Sequence, residues 1–394
     1  MTEPEVAALG RQIELRLDDA AGLEPRSVAI VFGTRPEIIK LAGIIDLLGS
    51  GARTIFSGQH FDESLSQVFF DDLRLRQPDV TLAVGGRTRA RQIGDLLLRL
   101  EEQFTKHRPA MVVVQGDTNT AVGGALAANA LELPLVHVEA GLRSFDRRMP
   151  EEHNRVIADH LADLCLAPTV QARDNLLAER IHEERIVITG NTVVDSALRL
   201  LPAAAERQPI LKDYGVEPDA FVLATFHRPE NVDDPERLAM LLECLAALNL
   251  PVLFPMHPRT RKQMRKGRLE SSGRQLRIVD PIGYKAFLAL AAECAFLLSD
   301  SGGVQEEASV VKRPAIIVRR STERPEVLGT FATRVESLAG VTHVADELLR
   351  TLDDTHRRLA DTPTPYGDGT ASARCVYHMM QIVRVSSSGR AKAL

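Results

Sequence analysis

Carboxylates, cations and glycines gather in this chain at the points where apolar runs end. The apolar run 295–298 reads as a buried strand, breaks at Ser299-Asp300-Ser301-Gly302-Gly303, and is followed by a helix pattern that opens at Val304. Backbone N–H groups therefore collect at Ser301, Gly302 and Gly303. Two residues without a Cβ let a ligand approach the main chain, and a helix N-terminus carries partial positive charge, so a phosphate or diphosphate suits this corner. Glu306 and Glu307, one turn on, are of the type that accepts hydrogen bonds from sugar hydroxyls beside a phosphate. A plain strand-to-helix turn fits the same residues, since short glycine motifs recur without function.

Similar clusters follow other strands. Gly33-Thr34-Arg35-Pro36-Glu37, with Lys40 one turn inside the next helix, makes an anion-receiving corner or a capped helix start. Ser57-Gly58-Gln59-His60 is a further strand-end turn. Asp117, in Gln115-Gly116-Asp117-Thr118, is a candidate acid or base, or an N-cap for the helix near Thr120. Glu139 and Arg143 end the next strand, and Glu151 opens a helix after Pro150, where an ordinary first-turn glutamate would also stand. Carboxylates at two neighbouring strand ends and a helix start, converging on one cleft, are the arrangement that tunes pKa values for proton transfer. In the second half His227, Arg228 and Glu230 follow one strand, and His257 and Arg259 follow another. Zinc-ligand spacing, a Walker A loop and G-x-G-x-x-G are all missing from the sequence, which argues against a metal or a nicotinamide and for no cofactor.

The elements that must position these residues alternate in type. Strands are expected at 28–32, 53–56, 111–114, 135–138, 164–167 and 185–188, and helices at 37–48, 63–72, 89–105, 120–130, 151–162, 170–179 and 193–201. A segment rich in Pro, Ala and charge, 202–218, reads as a linker. The alternation restarts with strands at 221–225, 252–254, 277–279, 295–298 and 315–318, and helices at 235–248, 260–269, 284–292 and 305–311, before a last helix at 370–385. Uniformly apolar strands separated by helices predict an α/β fold with two doubly wound, Rossmann-like parallel-sheet domains facing a cleft. The amphipathic lead-in 1–26 (Val6, Leu9, Ile13, Leu17) is expected to dock loosely, and the tail 386–394 to be disordered.

Bulk properties narrow the partners. The 394 residues suffice for two domains, and 44% hydrophobic with 26% charged residues is a globular composition. A net charge of −5 gives no long-range attraction to nucleic acid or an anionic membrane. Cys165, Cys244, Cys294 and Cys375 lie far apart, as core residues of a reducing compartment do. Glu3 and Glu5 stand where a secretion signal would carry positive charge, and the most apolar stretch, 286–298, is interrupted by Glu293. A cytoplasmic protein with a small anionic ligand is the expectation.

In order along the chain, GTRPEIIK, SGQH, GDTNT, HVEAGLRS, MPEEHNR, ITGN, FHRPEN, HPRT, SDSGGVQEEA, TERPE and PYGDG resemble the non-hydrolysing UDP-N-acetylglucosamine 2-epimerases over about residues 30–370. The resemblance implies a glycosyltransferase-B-like architecture: an N-terminal domain 1–190 completed by a C-terminal helix 374–394, and a UDP-binding domain 191–373. It implies interconversion of UDP-GlcNAc and UDP-ManNAc through elimination of UDP to 2-acetamidoglucal and readdition. Ser301, Gly302 and Gly303 would hold the diphosphate with Arg35 and His227, Glu307 would take the ribose hydroxyls, and Phe287 would line the uracil pocket. Asp117, Glu139 and Glu151 would do acid–base work with His227 and Lys40 beside them, and Gln59, Arg228 and His257 match a regulatory site for a second UDP-GlcNAc. A homodimer is expected. The chain departs from the family pattern in its longer lead-in and at Asn119 and His153. A hydrolysing relative, a transferase of the same architecture and a silent nucleotide-sugar sensor are the alternatives, the last disfavoured because a sensor needs no carboxylates.

Overall fold

The computed structural model describes residues 23–59, 70–269 and 275–387, with side chains to residue 382. The chain divides into two compact units, Met1–Ser196 with Tyr366–Leu394, and Ala197–Pro365. The expected lead-in helix, His60, most of the expected helix 63–72 and the tail beyond 387 lie outside the described residues.

Among the described residues, unit 1 holds seven parallel strands: β1 (Val28–Phe32), β2 (Ala52–Phe56), β3 (Val80–Thr81), β4 (Met111–Gln115), β5 (Leu135–Val138), β6 (Leu164–Ala167) and β7 (Ile186–Ile188). Their order is β3-β2-β1-β4-β5-β6-β7. β1, β4, β5 and β6 are buried at every position, which is why their sequences show apolar runs without alternation. One face is covered by the amphipathic helix Arg89–Lys106, which buries Gln92, Leu96, Leu100 and Phe104 at four-residue spacing. Helix Asn119–Ala130 lies close against both the sheet and helix Arg89–Lys106 because it presents glycines: a Cβ on Gly124 would stand 2.7 Å from Val114, and one on Gly123 2.7 Å from Leu96. The C-terminal helix Ala371–Ser387 packs on helix Arg35–Leu48, where a Cβ on Gly43 would meet Ser372 Oγ at 2.4 Å. Asp195 caps that C-terminal helix by accepting from Ala371 N (3.2 Å) and Ser372 N (2.7 Å).

Unit 2 repeats the plan with, among the described residues, six parallel strands: β8 (Val222–Thr225), β9 (Val252–Pro255), β10 (Leu276–Val279), β11 (Phe296–Ser299), β12 (Ala315–Val318) and β13 (Ala332–Val335), ordered β10-β9-β8-β11-β12-β13. Its core joins Leu238, Leu241 and Leu245, from one face of helix Pro235–Ala246, to Phe254, Phe296 and Val341. In each sheet the chain winds outward from one central strand and then returns to its other side, so strand order reverses at β1/β4 and at β8/β11. Loops leaving the carboxyl ends there diverge to opposite faces and open a crevice.

The segment 202–218 is not a linker. It contains helix Ala204–Tyr214, in which the Glu206 carboxylate accepts from Ala203 N (3.3 Å) and Gly215 closes the end at φ 59°. Pro209 lies inside that helix and masked its signal. The edge strands β3 and β13 and the helices Leu338–Arg350 and Leu352–Asp361 also escaped the sequence reading. Helix Gly302–Val311 begins at the glycines, two residues before the expected Val304. No helix among the described residues is long and apolar enough to cross a membrane.

Candidate active site

The carboxyl ends of β1, β4 and β5 gather most of the candidate residues of unit 1. Thr34 is the N-cap of helix Arg35–Leu48, and Pro36 occupies its first turn. The glutamate of that turn, Glu37, is buried and accepts from Gly33 N (3.1 Å), Thr34 Oγ1 (2.7 Å) and Thr118 Oγ1 (2.9 Å). Burial outweighs these bonds and raises the Glu37 carboxyl to about 7. One turn later the buried Lys40 pairs with the buried Glu139, whose Oε2 also accepts from Asn191 Nδ2 (3.2 Å). Glu139 sits at φ 66°, a region that costs a residue with a side chain about 1–3 kcal/mol and recurs at functional sites.

Gly33 can be nothing larger, because a Cβ would stand 2.0 Å from Ser57 Oγ and 2.3 Å from Thr120 Oγ1. Those hydroxyls share a 2.7 Å hydrogen bond, and Gln59 Oε1 accepts from Thr120 N (3.0 Å) and Thr120 Oγ1 (2.9 Å). Asp117, just ahead of helix Asn119–Ala130, is held by the buried Arg155, whose other nitrogen bonds Glu152. Thr118, not Asp117, is the N-cap of that helix and accepts from Ala121 N (3.0 Å). Asn154 Nδ2 donates to the Asp117 carbonyl (2.8 Å), and Glu152 accepts from Ser144 N (3.0 Å), Ser144 Oγ (2.9 Å) and Phe145 N (2.8 Å). Glu151 is half-buried at the start of helix Pro150–Leu161. Asp117 and Glu139 thus each meet a buried cation.

Unit 2 places its candidates beyond β8 and β11. The fully buried Asp300 accepts from His227 N (3.1 Å), Arg228 N (2.9 Å) and Asn231 Nδ2 (3.1 Å), with His227 Nδ1 at 3.3 Å. Burial raises the Asp300 carboxyl despite these donors. Ser301 is the N-cap of helix Gly302–Val311 without a side-chain cap bond, and its N–H donates to Ser299 Oγ (2.9 Å). A Cβ on Gly302 would meet Arg324 Nη1 at 2.5 Å and Glu323 Oε1 at 2.7 Å, whereas one on Gly303 would find only Ser301 Oγ, at 3.9 Å. Glu306 is fully buried and accepts from Arg324 Nε (2.7 Å), which removes it from the two sugar-binding options of this helix. Glu307 stands beside the phenol of Tyr284, which burial first and the Glu307 charge second push well above its usual range. Phe287 lies half-buried on the same helix as Tyr284, Tyr284–Glu293. The His227 and His257 rings lie tilted at 37° with centroids 5.2 Å apart, and His257 Nδ1 accepts from Arg259 N (3.2 Å).

The candidates Gly33 to Lys40, Gln59, Asp117, Glu139 and Glu151 therefore belong to unit 1, and His227, Arg228, His257, Phe287, Ser301 to Gly303 and Glu307 to unit 2. Sequence reasoning missed Glu152, Arg155 and Asp159, all buried on helix Pro150–Leu161. Their three- and four-residue spacing places charge on the face a core helix normally fills with apolar side chains, and that stripe was the available signal. Asn119 and His153, the departures from the family pattern, are absorbed locally: Asn119 Nδ2 donates to Gln92 Oε1 (2.7 Å) and His153 Nε2 lies 2.9 Å from the Arg147 carbonyl.

Two parallel α/β sheets, each with its polar clusters at a strand-order reversal, define the glycosyltransferase-B-like class. Residues 50–380 match the family profile described as UDP-N-acetylglucosamine 2-epimerase. A UDP-N-acetylglucosamine 2-epimerase of Methanocaldococcus jannaschii is 39% identical over 361 residues, 89% of this chain and 97% of that one. A UDP-2,3-diacetamido-2,3-dideoxy-D-glucuronate 2-epimerase of Pseudomonas aeruginosa is 36% identical over 366 residues, 90% of this chain and 99% of that one. The crystal structure of the M. jannaschii UDP-GlcNAc 2-epimerase in complex with UDP-GlcNAc and UDP superposes with a TM-score of 0.81 at 37% identity, covering 90% of this chain and 99% of that one. The chain belongs to the UDP-N-acetylglucosamine 2-epimerase family.

Proposed function

We propose that this protein epimerises UDP-GlcNAc to UDP-ManNAc at C2 without net hydrolysis. The observation that carries the reading is the unit 1 constellation: Glu139 held at a left-handed strand end by Lys40, and Asp117 held by Arg155, two fixed carboxylates on loops adjoining through β4 and β5. C2 of the sugar has no adjacent carbonyl, so its proton is not acidic enough for direct exchange. Elimination solves this: as a base takes the C2 proton, the C–H pair becomes the C1=C2 bond and the C1–O bond breaks, its electrons leaving on UDP. Reprotonation of 2-acetamidoglucal at C2 from the other face, with readdition of UDP at C1, gives the epimer. Two acid–base groups are required, and Asp117, Glu139 and Glu151 supply them with Lys40 and His227 as electrostatic partners.

The departing UDP needs anchoring. Gly302 and Gly303 offer backbone N–H groups at a helix N-terminus, which have no intrahelical acceptor, and Ser301 adds its hydroxyl beside them. Arg35 and His227 add donors for the diphosphate, Glu307 accepts from the ribose, and Phe287 packs on uracil. A second UDP-GlcNAc acting through Gln59, Arg228 and His257 would make the kinetics sigmoidal, and His257→Ala would return them to a hyperbola.

The reading is tested by identifying products with 1H and 31P NMR. UDP-ManNAc in equilibrium with UDP-GlcNAc, with only traces of free UDP, is expected. Stoichiometric UDP and free ManNAc would show water capturing C1 and assign the chain to hydrolysing chemistry. A second substrate deserves the same assay, because the 36% identical Pseudomonas relative is named for UDP-2,3-diacetamido-2,3-dideoxy-D-glucuronate. The ratio of the two kcat/KM values decides between them.

A further inference from the structure

Beneath the loops that carry Asp117 and Glu139 lies a buried charged group that the proposed mechanism does not use. His137, the third residue of β5, is fully buried, as is Asp159 of helix Pro150–Leu161. His137 Nδ1 is 2.6 Å from Asp159 Oδ1, and its Nε2 is 2.9 Å from the Gly116 carbonyl. Asp159 also accepts from Gly141 N at 3.3 and 3.2 Å through its two oxygens, and Arg143 Nη1 lies 2.7 Å from Oδ2. Gly116 directly precedes Asp117, and Gly141 is two residues beyond Glu139. All three bends are left-handed, with φ 68° at Gly116, 66° at Glu139 and 83° at Gly141. The network thus grips both bends.

We propose that His137, Asp159 and Arg143 form a splint that fixes the spacing between the Asp117 and Glu139 carboxylates, and that the imidazole serves in it as a cation. A carbonyl only accepts, so Nε2 must carry a proton. Asp159 already accepts from a guanidinium and an amide, so it is ionised and Nδ1 must carry a proton as well. Burial acts to raise the Asp159 carboxyl, but His137 and Arg143 outweigh it and hold it below the usual range. The charges facing the ring close to neutrality: His137 and Arg143 oppose Asp159 and Glu179, the latter accepting from Arg143 Nε (2.7 Å) and Nη2 (2.6 Å). His160 approaches Glu179 at 3.5 Å, and Cys165 Sγ on β6 donates to the Asp159 carbonyl at 3.5 Å, a thiol that burial keeps protonated. The three residues are positioning residues. They touch no substrate in this scheme and act through the two carboxylates.

The proposal builds on the epimerase reading, so its test has one arm independent of turnover. In protein labelled with 15N-histidine, the buried ring, known by its slowly exchanging protons and by its loss in His137→Gln, should show two protonated nitrogens under the conditions of the activity assay. A ring with one unprotonated nitrogen there overturns the cationic splint, whether or not the protein is an epimerase. In the second arm, His137→Gln should lower kcat about 10- to 100-fold while KM and UDP affinity stay within about threefold, the signature of misplaced reacting groups. Asp159→Asn, nearly isosteric, gives the same readout should the first variant fold poorly. A folded variant with kcat within threefold of wild type overturns the splint. A wild-type protein inert toward every UDP-sugar offered would sink the epimerase reading and leave the NMR arm to decide the splint.

Discussion

The carboxyl ends of the two sheets share a topology but hold the acids that follow their central strands differently. In unit 1, Glu139 meets Lys40, Asp117 meets Arg155, and Asp159 meets His137 and Arg143, while Glu37 is held by N–H and O–H donors. In unit 2, the central acid, Asp300, takes up backbone and amide N–H groups and thereby folds the loop at His227 and Arg228, while the neighbouring helix start remains built from glycine. The first arrangement fixes side chains that can exchange protons. The second fixes a backbone that can receive an anion. On the proposed reading, one fold serves two chemistries through what stands beyond its strands.

The largest expected effect tests the proton-transfer side. Asp117→Asn keeps the shape beside Arg155 and removes the charge, and kcat should fall at least ~10²-fold with UDP affinity unchanged by calorimetry. Glu151→Gln should behave likewise. Turnover near wild type in either would return that residue to a structural role.

Next comes Glu37, the acid of unit 1 whose carboxyl rises from 4.5 to about 7 through burial. The folded state therefore binds this proton more tightly than the unfolded chain does. Stability should fall as pH climbs from about 4.5 to about 7, by roughly 3 kcal/mol in all, and then level off. Urea denaturation across that window should show the slope in wild type and its loss in Glu37→Gln; identical slopes would contradict the assignment.

Asp300→Asn turns one acceptor into a donor among three N–H groups. It should destabilise unit 2 by about 1–3 kcal/mol in urea and weaken UDP binding with it. An unchanged midpoint would show that the loop does not depend on this carboxylate. The glycines then grade the anchor. Gly302→Val should weaken UDP at least about tenfold, since even a Cβ collides with Arg324 and Glu323, while Gly303→Ala, with its nearest contact at 3.9 Å, should change affinity less than about threefold. A loss at Gly303→Ala as large as at Gly302→Val would mean that close approach of the ligand, not packing against Arg324 and Glu323, sets the requirement for glycine.

How much of this was legible in the sequence follows the same division. Strand ends could be read because parallel strands buried on both faces are unbroken apolar runs, and the polar residues after them are local in sequence. The glycine–helix corner at Ser301 was legible for that reason, although the helix starts two residues sooner than its apolar pattern. Helix Ala204–Tyr214 was hidden by Pro209 and a polar composition, and β13, with only its end residues buried, carries too little pattern. Lys40, the partner of Glu139, was among the residues named, but the partners of the other carboxylates were not legible. Arg155 reaches Asp117 across 38 residues and Asp159 reaches His137 across 22, and local spacing holds no record of contacts made by the closing of a sheet.

The claim that unit 1 moves a proton at C2 is tested most directly by running the wild-type protein on UDP-GlcNAc in deuterated water and following C2 by NMR. Deuterium at C2 of UDP-ManNAc, incorporated at the rate of epimerisation, is the predicted result. Formation of UDP-ManNAc that retains the original C2 hydrogen would contradict it.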